Sequence, residues 1–149
     1  MHAYVLMTNH VHILMTPLAP GAVARVMKSL GRRYVPYIND RYHRTGRLWE
    51  GRYKSCLVND GDSLLHCYRY IELNALRAAM VADPRDYPWS SHRRNACGEH
   101  DPLVSPHPAY LALSIDPRQR QQAYRTLVME TVDPTEAEAI RQHVQRQHA

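Results

Sequence analysis

His10-Val11-His12 lies within an apolar stretch, where an imidazole persists only with a partner or a function. If residues 5–15 form a strand, its two-residue period puts both rings on one face and packs Val11 and Ile13 into a core on the other. Two neutral nitrogen ligands then point at one spot. Taken alone, the pair reads as an ordinary hydrogen-bonded couple. Residues 2–6 and 11–15 carry the strand character, as one strand kinked near Asn9, and Pro17 and Pro20 stop it.

The spacing of apolar residues predicts a helix over residues 63–80. Leu64, Cys67 or Tyr68, Ile71, Ala75 and Ala78 repeat as its buried seam, with Tyr68 a core residue. His66, Tyr70, Asn74 and Arg77 line another face, which places Tyr70 away from the seam. Tyr70 and Asn74 stand one helical turn apart, so a phenol and an amide oxygen can reach one ion-sized volume. An ion held by two imidazoles and an amide oxygen keeps open positions for a phosphate, and a phenol beside it can attack phosphorus in line. Spacing alone leaves Tyr70 equally a core tyrosine. Asn59-Asp60-Gly61-Asp62 reads as a turn, with Asp62 or Ser63 capping the helix.

Between these segments Val23, Val26, Met27, Leu30 and Tyr34 recur at helical spacing from Ala22 onward, with Arg25, Lys28, Arg32 and Arg33 on the other faces. One side of this helix is expected to be buried, and Pro36 to end or kink it unless neighbours compensate. Residues 39–47 read as a basic loop, and residues 48–58 as one strand or a tight pair. Trp49 and Tyr53 are equally suited there to core packing and to base stacking. Trp89 is expected to lie back on the core. Asp116-Pro117 and Asp133-Pro134 predict helices over residues 118–130 and 135–146.

A chain of 149 residues is large enough for a single core. Its net charge is +5, and residues 21–54 concentrate the excess, with Arg41, Arg44, Arg47, Arg52 and Lys54 joining the helix cations against only Asp40 and Glu50. A nucleic-acid-facing half is therefore expected, with arginine forks suited to phosphate. Arginine bias also accompanies GC-rich genomes. Three cysteines without a Cys-x-x-Cys pair read as reduced thiols, and the longest apolar run is too short for a bilayer, so a soluble cytoplasmic protein is expected, with no membrane partner.

Four stretches carry a more specific signal: Met7-Thr8-Asn9-His10-Val11-His12-Ile13-Leu14, Arg44-Thr45-Gly46-Arg47-Leu48-Trp49-Glu50-Gly51-Arg52-Tyr53-Lys54-Ser55, Arg69-Tyr70-Ile71-Glu72-Leu73-Asn74 and Tyr87-Pro88-Trp89-Ser90-Ser91. They closely resemble the REP-associated tyrosine transposases, relatives of the single-tyrosine IS200/IS605 transposases within the HUH nucleases. The resemblance is continuous over about residues 1–95. It implies Tyr70 as nucleophile, His10, His12 and Asn74 as ligands of Mg2+ or Mn2+, and a 5′-phosphotyrosine intermediate on single-stranded or hairpin DNA. Arg32, Arg33, Arg47, Arg52, Lys54 and Arg77 are the cations expected to meet that DNA.

The implied fold is α+β: an antiparallel sheet in a ferredoxin-like or RRM-like arrangement with helices on one face. Members usually begin with a further strand and helix, whereas this chain starts almost directly on the histidine strand. Residues 1–95 are thus expected to form an incomplete catalytic domain and residues 96–149 a C-terminal helical extension. Monomer and homodimer both remain open, because relatives can pair the tyrosine of one subunit with the histidines of another. The alternative reading is a truncated, non-catalytic protein that grips DNA hairpins. A replication initiator or relaxase also uses tyrosine, but the motifs over residues 48–55 and 87–91 do not match those enzymes.

Overall fold

The computed structural model describes residues 1–58 and 61–129 of the chain. They fall into two units, one formed by residues 1–16 together with the described residues from Cys56 onward, the other by residues 17–55.

The first unit is α+β. Strand β1 (Ala3–Leu6) pairs antiparallel with β2 (Val11–Leu14), with Val5 opposite His12 and Leu6 opposite Val11. The expected single kinked strand is instead a hairpin, closed over Thr8 and Asn9 by a hydrogen bond from Met7 N to His10 O of 2.9 Å. The chain thus reverses at Thr8 and Asn9, where a mere kink was expected.

Opposed residues share a face, so His12 lies with Val5 and Leu14, both buried, while Val11 is 36 % exposed. The core therefore lies on the histidine side, opposite to the face expected to hold Val11 and Ile13. Helix α2 (Gly61–Glu72) covers the hairpin, contributing Leu64, Tyr68, Tyr70 and Ile71 to one core with Ala3, Val5 and Leu14. The backbone is helical from Gly61, where a turn was expected; the rest of that turn, Asn59 and Asp60, lies outside the described residues.

The far edge of β1 is bridged by residues 89–91. Leu6 N donates to Trp89 O at 2.8 Å, Ser91 N to Tyr4 O at 3.0 Å, and the Tyr87 hydroxyl to Leu6 O at 2.7 Å. Pinning this backbone turns Tyr87 inward and leaves Trp89 60 % exposed, against the expectation that Trp89 packs on the core. Helices α3 (Asn74–Arg77), α4 (His92–Cys97), α5 (Pro108–Leu111) and α6 (Pro117–Met129) complete the unit. Gly98, at φ 77°, ends α4 in the left-handed conformation that glycine adopts freely. Tyr68, Tyr110 and Tyr124 form an aromatic cluster with centroids 5.3–6.2 Å apart, so residues on both sides of position 95 share one core. The helix expected over residues 135–146 lies outside the described residues.

The second unit is built on α1 (Ala22–Arg41), which runs through Pro36. None of its residues is buried, against the expectation that one side would be. Residues 48–58 form no strand. Their β-prone side chains do not supply the partner edge that a strand needs. Among the described residues no helix is long and apolar enough to cross a membrane.

Candidate active site

Because α2 lies on the histidine face of the hairpin, a side chain from its underside meets the imidazoles. The rings of His10 and His12 are 5.0 Å apart at 77°, and the rings of His12 and Tyr70 are 5.5 Å apart at 73°. Two elements separated by more than fifty residues thus bring three of the expected site residues into one chain of edge-to-face contacts. Tyr70 is only 9 % exposed and belongs to the core, against the expectation that it stands away from the apolar seam. The reason is geometric: a ring that reaches His12 must lie between helix and hairpin. His10, at the turn, is exposed and His12 half-buried, so the site runs from the core edge to the surface.

The His10 Nδ1 sits 2.7 Å from Asn9 Oδ1. An amide oxygen only accepts, so it is the Nδ1–H tautomer of His10 that makes this hydrogen bond. His10 and His12 are the two imidazoles here that could hold a divalent ion. Among the described residues no three His, Cys, Asp or Glu side chains cluster as a metal site. Asn74 opens α3, half-buried, four positions beyond Tyr70 and just past a break at Leu73 that ends α2. The continuous helix expected over residues 63–80 is thus two shorter ones.

Arg77 occupies the remaining face of the tyrosine. Its guanidinium carbon lies 4.5 Å from the Tyr70 ring centre, and its Nη2 donates to the Tyr70 carbonyl. Of the six cations expected at DNA, Arg77 is thus engaged with Tyr70, while Arg32, Arg33, Arg47, Arg52 and Lys54 are exposed in the second unit.

Two residues beside Tyr70 escape sequence reasoning. Glu72, 1 % exposed, accepts from Ser91 Oγ at 2.6 Å, Asn95 Nδ2 at 2.7 Å and the Tyr124 hydroxyl at 2.8 Å, with His92 Nδ1 at 3.2 Å. This carboxylate ties α2 to α4 and α6. Arg69 is buried, and among the described residues its Nε and Nη2 have no hydrogen-bond partner. Nothing in their spacing separates either from a solvated helix charge.

A family model described as "Transposase IS200 like" matches residues 1–74, about half the chain, a span that includes His10, His12, Tyr70 and Asn74. No curated protein and no solved structure matches the chain.

Proposed function

Since the chain belongs to the IS200-like transposase family, we propose that it is a metal-dependent single-strand DNA endonuclease and strand transferase with Tyr70 as its nucleophile. The observation that carries this reading is the contact chain His10–His12–Tyr70, in which the phenol ring lies against His12 and His12 against His10, inside the matched segment. A REP-like DNA hairpin with an adjoining single strand is the proposed substrate.

His10 and His12 would hold Mg2+ or Mn2+ through ring nitrogens, with Asn74 supplying an amide oxygen. When bound, the ion polarises a phosphate oxygen and offsets the charge that develops on it. The Tyr70 hydroxyl oxygen attacks phosphorus as its proton departs, and the bond from phosphorus to the 3′ oxygen breaks. The 3′ oxygen takes up a proton to leave as a free hydroxyl, while the 5′ phosphate stays on Tyr70. Attack by another 3′ hydroxyl reverses these steps and restores the phenol. The phosphodiester is conserved throughout, so joining needs no ATP. Arg77 on one ring face and the His12 edge on another hold the phenol in a fixed orientation for that attack.

The burial of Tyr70 favours one rival, a protein that binds hairpins without cutting them. Incubation of a labelled hairpin oligonucleotide with protein and Mn2+, resolved on a denaturing gel, separates the two. Cleavage is expected, with loss in EDTA and a fall of at least a hundredfold in Tyr70→Phe and in His12→Ala. Binding without cleavage across a panel of hairpins and metals supports the rival.

A further inference from the structure

Residues 17–55 carry nine cations and two acids, a surplus of seven; the whole chain carries +5, so the remainder carries a net −2. The net positive charge of the chain therefore lies in the second unit. That unit also exposes its aromatic side chains. Tyr34, Tyr37 and Trp49 are 41 %, 60 % and 39 % exposed, and they stand in a near-parallel row. Tyr37 and Tyr34 are 6.5 Å apart at 29°, and Tyr34 and Trp49 are 6.0 Å apart at 30°. Arg33 lines the same shallow groove as Val26, Leu30, Tyr34 and Tyr37 on α1.

We propose that this row of rings is a stacking platform for unpaired DNA bases, with phosphates held by the arginines around it. The proposal rests on the reading of the chain as a DNA-processing enzyme and adds the surface that takes its single strand. Flat π faces accept any base, and a cationic surround grips the backbone between them, the combination that single-strand binders use. Charge selects this occupant over a second copy of the chain, because two units with a surplus of seven positive charges repel when brought face to face. Arginine beside tyrosine also stacks on bases, which lysine does less well.

The test uses the full chain carrying Tyr70→Phe, so that no strand is cut, and Trp89→Phe, so that Trp49 is the sole tryptophan. A ten-nucleotide oligothymidine is expected to quench Trp49 fluorescence. An abasic oligomer with the same number of phosphates, and a blunt duplex, are each expected to bind at least tenfold more weakly. Tyr34→Ala and Trp49→Ala each weaken binding of labelled oligothymidine about tenfold by fluorescence anisotropy, while Tyr34→Phe restores it. Equal affinity for base-bearing and abasic strands overturns the proposal. So does a dimer in light scattering that Tyr34→Ala dissolves. Stacking that persists when the native protein fails to cleave removes the nuclease reading and leaves the platform standing.

Discussion

A carboxylate at 1 % exposure with three donors within 2.8 Å is a fixed point of the structure, and Glu72 holds that place two residues from Tyr70. Each hydrogen bond to a buried charge contributes about 1.5–3 kcal/mol, and an amide in its place turns an N–H toward groups that are themselves donors. Glu72→Gln is therefore expected to lower the unfolding free energy by about 3 kcal/mol, with Tyr124→Phe costing about half as much. Urea denaturation with an unchanged slope checks both, and a Glu72→Gln protein as stable as the parent contradicts this account. The hydroxyl of Tyr124 is pushed well above its ordinary range, first by burial and then by the Glu72 charge it donates to. None of this was legible in the sequence. A glutamate in an amphipathic helix reads as solvated, and its partners Ser91, Asn95 and Tyr124 lie nineteen to fifty-two positions away. That His10, His12 and Tyr70 belong together was legible through their motifs, and their rings do meet, but the burial of Tyr70 was not legible, because helical periodicity says which residues share a face and not what packs against it.

Elements with a local cause were the ones the sequence revealed. Helix α1 follows its apolar spacing, and α6 begins at the proline after Asp116. Elements that depend on distant partners were not visible. The exposure of Trp89 depends on residues 89–91 bridging the edge of β1, more than eighty positions away. The start of that strand is tied by His2, whose Nδ1 lies 2.7 Å from Ser105 O and whose Nε2 lies 2.8 Å from Thr16 Oγ1. The neutral ring serves both, donating to the carbonyl and accepting from the hydroxyl. Burial pulls the His2 pKa below its ordinary 6.5, and the hydrogen bond to Ser105 opposes that pull only in part. A histidine that resists protonation when folded contributes stability above about 6.5, and this is lost as pH falls below that value, where the unfolded chain binds the proton first. The urea midpoint is expected to fall between pH 7.5 and pH 5.5, and His2→Gln to flatten that slope. An unchanged slope in the variant contradicts the assignment of the titration to His2.

At the scale of the whole molecule the positive surplus and the histidine–tyrosine contacts lie in different units. Residues 17–55 hold the positive surplus and the exposed rings, while the unit containing β1, β2 and α2 holds the contact chain of His10, His12 and Tyr70. Charge clustering over residues 21–54 was legible in the sequence because it needs no folding. The buried side of the hairpin was not, since it is fixed by α2 arriving on the histidine face. The most direct measurement is the intact mass of the protein after incubation with a hairpin oligonucleotide and Mn2+, followed by peptide mapping. The expected result is a protein heavier by the downstream strand, joined through a 5′ phosphate to the peptide containing Tyr70. Cut DNA with no strand on the protein, or an adduct that survives Tyr70→Phe, would contradict it.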